Sequence, residues 1–109
     1  MCKQTVISHK GDVTVTECRG CKIVNVWNRG VLMTFSFEQF HAFISSTRNL
    51  EFDDYLEYHP DGSETVILAS PFPDISLAFT RSEWYEFFLA IQEAEYMQQI
   101  YSLVHRTNG

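Results

Sequence analysis

The sequence predicts an α+β protein in which two runs of antiparallel strands each end in a helix, in the order ββββα-βββα. Three observations carry that prediction. Short stretches of alternating apolar residues are separated by Gly-containing turns. Two strand-to-helix junctions share one pattern, "VLMTFSFEQFHAFI" at residues 31–44 and "ISLAFTRSEWYEFF" at residues 75–88. Finally, separate turns agree on which side chains share a face of the sheet.

The elements follow in chain order. Lys10-Gly11, Arg19-Gly20 and Arg29-Gly30 read as two-residue hairpin turns, and His59-Pro60-Asp61-Gly62 as a longer one. Strands are expected near residues 4–8, 13–18, 22–28, 31–35, 54–59, 64–69 and 74–79, with helices over 37–47 and 81–105. An Arg19-Gly20 turn sets Cys18 opposite Cys21, Glu17 opposite Lys22 and Val15 opposite Val24. An Arg29-Gly30 turn sets Val26 opposite Met33 and Val24 opposite Phe35. Both turns send Val13, Val15, Val24, Val26, Met33 and Phe35 to one face, and Thr14, Thr16, Asn25 and Thr34 to the other. A Lys10-Gly11 turn would pair Val6 with Val15 and Lys3 with Cys18.

The junctions align residue for residue: Met33 with Leu77, Phe35 with Phe79, Ser36 with Thr80, Gln39 with Glu83, Phe40 with Trp84 and Phe43 with Phe87. Ser/Thr-x-x-Gln/Glu before an apolar helical run is a capping box. Shared caps and aromatic anchors at one offset point to an internal duplication. The chain therefore reads as one domain, residues 1–109, with pseudo-repeats of about 1–49 and 50–109.

Composition narrows the function classes. With 45% apolar and 15% aromatic residues, this chain can bury its own core. It lacks an apolar run of membrane-spanning length and a secretory signal, so no membrane association is expected. Three cysteines suit a disulfide framework poorly, which points to the cytoplasm. Net charge is −6, yet residues 1–36 hold five basic and two acidic side chains. An acidic chain is a poor match for phosphates, and nucleic acid is not the expected partner.

Chemistry-bearing residues are few. Cys18 and Cys21 flank a tight turn, and Cys2 falls beside Cys18 in the expected register. Cys-x-x-Cys on such a turn can aim two sulfurs at one zinc ion, so Cys2, Cys18 and Cys21 form a candidate metal site with no identified fourth ligand. His9 belongs at the far end of its strand, ~23 Å away, and is excluded. The same motif as a thiol-redox pair would lack the helix N-terminus that activates such thiols. Simple reduced thiols are the plainer alternative. His41 is expected to be a partly buried, hydrogen-bonded side chain. Glu51, Asp53, Asp54 and Glu57 read as a charged strand edge. No phosphate loop, nucleophile elbow or zincin motif is present, so no enzymatic activity is expected.

The second helix carries two stripes. Trp84, Phe87, Phe88 and Ile91 suit its own sheet. Tyr96, Met97, Ile100, Leu103 and Val104 lie nearly opposite, and a seam through Met97, Ile100, Tyr101 and Val104 suits a homodimer. Alternatively, a break near Ala94 would fold that stripe onto Ile23, Trp27 and Leu32.

Taken whole, the chain resembles a family of small bacterial proteins of unknown function. The resemblance rests on the N-terminal Met-Cys, the hairpin Cys18-x-x-Cys21 and Phe-rich junctions such as "LMTFSFEQFHAF". It implies an α+β domain and draws attention to the cysteines, and it implies no activity. The strand-plus-helix units also resemble PUR-type repeats, an analogy of fold that implies single-stranded nucleic acid as a ligand. The leading expectation is a non-enzymatic cytoplasmic binding or regulatory module, homodimeric, with a zinc-binding cysteine cluster. A thiol-redox protein and a PUR-like nucleic-acid binder are the alternatives.

Overall fold

The alternating runs form strands and the capped runs form helices in the computed structural model of the chain, which describes residues 3–108, with side chains to residue 104. Strands β1 (Thr5–Lys10), β2 (Val13–Cys18), β3 (Ile23–Asn28) and β4 (Val31–Ser36) lead into helix α1 (Phe37–Thr47). A 3₁₀ turn (Phe52–Tyr55) precedes β5 (Leu56–Tyr58), β6 (Glu64–Ala69) and β7 (Ser76–Phe79), and helix α2 (Arg81–Asn108) follows. The first four strands form one antiparallel sheet in sequence order, and the last three form a second. The protein is thus α+β in the predicted order. Among the described residues, no helix is long and apolar enough to cross a membrane.

Val13, Val15, Val24, Val26, Met33 and Phe35 are all buried on one face of the first sheet. The Arg29-Gly30 turn gives the expected register, Val26 opposite Met33 and Val24 opposite Phe35. Its strain sits on the arginine, whose φ is 59°, a left-handed conformation that costs a side chain about 1 kcal/mol.

Two other turns differ from the expectation. Four residues, 19–22, connect β2 to β3, with Lys22 at φ 55°, so Cys18 pairs with Ile23 and Glu17 with Val24. Each pairing has moved by two residues, and an even shift leaves every side chain on its face. The β1–β2 turn lies at Gly11-Asp12, with Gly11 at φ 56°, so Lys10 pairs with Val13. A bulge between Val6 and Ser8 then turns Ile7 inward and leaves Val6 exposed, contrary to a Val6–Val15 pair. A side chain at residue 11 would collide with the Glu86 carboxylate of α2, a second reason for glycine there.

Both helices begin with a complete capping box. Ser36 Oγ accepts the Gln39 N–H at 3.0 Å while Gln39 Oε1 accepts the Ser36 N–H at 2.9 Å. Thr80 Oγ1 accepts the Glu83 N–H at 3.3 Å while Glu83 Oε1 accepts the Thr80 N–H at 2.9 Å. The aligned anchors Phe35, Phe40 and Phe43 and their counterparts Phe79, Trp84 and Phe87 all lie in one core cluster. Phe43 and Phe87 touch edge to face at 6.3 Å between ring centres, joining the halves.

Helix α2 runs unbroken past Ala94 and covers β1 and β2 of the first sheet as well as β6 and β7 of its own. Arg29 binds Glu83 at 3.1 Å and Glu86 at 3.0 Å, and Lys10 binds Glu93 at 3.1 Å. Lys10 holds the Glu93 carboxyl below the usual carboxylate range. Ala94 and Gln98 extend the buried face, and Met97 and Tyr101 pack against this chain's own core. Trp27 and Leu32 consequently stay exposed, and the folded-back alternative does not occur. Asp53 and Asp54 lie in the 3₁₀ turn, not in a strand, and Asp53 binds Arg81 at 2.8 Å.

Candidate functional site

Both helices lie on the valine face of the first sheet, so the register of the opposite face defines a surface. Its outermost row crosses all four strands as His9, Thr14, Trp27 and Leu32. The next row runs Val6, Thr16, Asn25 and Thr34, and the third holds Cys18, Ile23 and Ser36. Trp27 and Leu32 are a directly opposed pair, 48% and 47% exposed, with Val6 exposed nearby. Large apolar side chains on a solvated sheet face need a reason, because that face normally alternates to polar residues.

A hydrogen-bonded ladder fixes the middle row. Gln4 Oε1 accepts from Thr16 Oγ1 and, at 3.0 Å, from Asn25 Nδ2. Asn25 Oδ1 in turn accepts from Thr34 Oγ1 at 2.6 Å. In the outer row His9 Nδ1 lies 2.8 Å from Thr14 Oγ1. None of these rows contains a carboxylate, although the chain as a whole is acidic. Thr16 and Asn25 are buried and bonded within the ladder, so the face presents Val6, Trp27 and Leu32 beside the exposed Gln4 and Thr34, with no carboxylate to repel an anion.

Cysteine chemistry lies at one end of this face. Cys18 is 2% exposed with a free thiol, and its Sγ accepts the Cys21 N–H at 3.4 Å across the turn. Cys21 is exposed and disulfide-bonded. Cys2, the third proposed metal ligand, lies outside the described residues. Among the described residues no group of three metal-ligating side chains forms. His9 is at the opposite end of the β1–β2 ladder from Cys18, as its strand position requires.

On the helix-covered face, the same hairpin end holds a polar cluster that the turn pattern of the sequence does not indicate. Glu17 is 2% exposed, its Oε1 is 3.1 Å from Arg19 Nε, and its Oε2 has no hydrogen-bond partner among the described residues. Arg19 also donates to the Gln98 backbone carbonyl at 2.9 Å and lies over the Phe37 ring. His41 Nε2 is 2.9 Å from Oε1 of buried Gln98, yet the His41 side chain itself is exposed. It sits one residue past Phe40, off the buried stripe of α1, which corrects the partly buried position expected for it. A cleft of about 150 Å³ opens between Arg19, His41 and Gln98. The signal for this cluster was present: Glu17 continues the Val13-x-Val15 alternation, which places a carboxylate at a core position.

No family model, curated protein or solved structure matches this chain.

Proposed function

We propose that this protein is a non-enzymatic binding module that takes its ligand on the open face of the first sheet, across Trp27. One observation carries the reading: in a chain of net charge −6, this face has three carboxylate-free rows and a half-exposed Trp27–Leu32 pair. Apolar anchors set among fixed polar groups are the usual make-up of a binding surface. We read the module as a homodimer; the disulfide at Cys21 removes the cysteine-based ground for placing it in the cytoplasm.

Single-stranded nucleic acid is the second reading, favoured by Trp27, since an exposed indole on a sheet is a stacking platform for bases. Charge weighs against it. Lys10, Arg19, Arg29, Arg48 and Arg81 are all ion-paired within the chain, leaving little positive charge for phosphates. The test is a titration with a twelve-nucleotide oligothymidine and, separately, an uncharged peptide bearing Tyr and Leu. The reading expects one of them to change Trp27 emission, and Trp27→Ala with Leu32→Ala to remove binding while the fold persists. If neither probe binds, or the double variant binds equally well, the reading fails. Oligothymidine binding that weakens steeply with salt would select the second reading.

The zinc reading needs thiolates, and Cys21 must first be reduced to supply one. Elemental analysis of reduced protein, with and without chelator, tests it: zinc at less than one equivalent in both samples removes the metal.

A further inference from the structure

We infer that the solvent face of α2 is a seam for a second copy of this chain, centred on Tyr96. The inference rests on the homodimeric reading and gives it a different surface from the one the sequence indicated. Tyr85, Leu89, Tyr96 and Leu103 are each more than half exposed, whereas Met97 and Tyr101 pack into the chain's own core. At 100° per residue the exposed four fall within one narrow sector, almost opposite the buried Phe87, Ala90, Ala94 and Gln98. That is where a surface helix normally carries its charges.

Here it carries none. Gln92, Gln99 and Ile100 complete the sector between Tyr85 and Leu103. The carboxylates that border it are already matched within the chain: Glu86 by Arg29, Glu93 by Lys10 and Glu95 by Arg48 at 2.8 Å. In a protein of net charge −6, this is a surface that another copy can approach without like-charge repulsion. A cationic partner would find no unmatched carboxylate there, whereas a second copy finds a neutral stripe whose seven-residue repeat is symmetric about Tyr96 and so complements itself.

Spacing supplies the geometry. Leu89, Tyr96 and Leu103 are seven residues apart, the repeat that keeps a seam facing its partner. The set is symmetric about Tyr96. Antiparallel pairing across a twofold axis therefore sets Leu89 against the partner's Leu103 and brings the two Tyr96 rings together.

Sedimentation of the full chain tests this. The wild type should sediment as a dimer of 12.7 kDa chains at about 100 μM, and a monomer at that concentration would overturn both the seam and the homodimeric reading. Leu89→Glu and Tyr96→Glu, at exposed positions, should each weaken the dimer by roughly 100-fold while circular dichroism stays unchanged. Val104→Glu, which lies off the sector, should leave it intact. A wild-type dimer that survives Leu89→Glu with Tyr96→Glu, or that only Val104→Glu dissociates, would overturn the seam alone. The open sheet face is a separate surface, so neither outcome bears on ligand binding there.

Discussion

Glu17 shows how far residue-level reading reaches. Its place in the alternation is plain from Val13-x-Val15-x-Glu17, and the face it occupies follows from period two alone. What could not be read was its partner. Sequence spacing indicates two residues for the turn after Cys18, but it has four, so Val24 stands where Lys22 is expected. The ion pair then forms with Arg19, a neighbour that reaches back from the turn. A buried carboxylate with one partner is costly to expose to loss of that partner, but not to replacement. Arg19→Ala should therefore destabilise by about 2–3 kcal/mol, whereas Glu17→Met should be neutral or stabilising. Urea midpoints of the two variants check this, and the reverse order would show that the pair contributes net stability. Cys18 gives a second residue-scale test. Its burial predicts slow alkylation in the native state and fast alkylation in urea, read by peptide mass mapping. Rapid native labelling would mean that the turn opens readily.

At the scale of elements, the helix starts were fully legible because a capping box is local chemistry. Ser36→Ala and Thr80→Ala should each cost about 1 kcal/mol. Phe40→Ala and Trp84→Ala should cost about 3–5 kcal/mol each, since both anchors are buried. Losses below about 1 kcal/mol at both positions would contradict the core described here. The β3–β4 turn adds a finer comparison. Arg29 accepts a strained φ, and its guanidinium is the clamp that ties the turn to Glu83 and Glu86 of α2. Arg29→Gly loses the clamp but relieves the strain, while Arg29→Ala loses the clamp and keeps it. The alanine variant should thus be the less stable by about 1 kcal/mol. Equal stability would place the strain elsewhere. The β1–β2 turn lies one residue later than the sequence indicates because Lys10-Gly11 and Gly11-Asp12 are both acceptable turns. The choice is made by α2, whose Glu86 caps the Asp12 N–H at 3.1 Å from far along the chain.

For the whole molecule, the strand and helix order was legible and the docking of α2 was not. Its apolar face fits either sheet, because both present alternating apolar residues, and polar ties to the first sheet's turns distinguish them: the Arg29 and Lys10 ion pairs, Glu86 on the Asp12 N–H and Arg19 on the Gln98 carbonyl. By lying across the first sheet as well as its own, α2 covers the valine face at β1 and β2, and α1 covers it at β3 and β4. The candidate surface is then what remains open: Trp27, Leu32 and Val6, with Gln4 and Thr34 at the exposed ends of a ladder whose Thr16 and Asn25 are buried. The candidate site was visible in the sequence as a set of outward residues, without the knowledge that neither helix would cover Trp27 and Leu32. Amide and indole NMR during a screen of small planar aromatic fragments compares this face directly with the cleft at Arg19 and with the outer stripe of α2. The largest shifts should fall on the Trp27 indole and on Leu32, Asn25 and Thr34, while the buried Trp84 indole stays still. Shifts concentrated at Gln98 and His41, with Trp27 unmoved, would contradict a site on the open face.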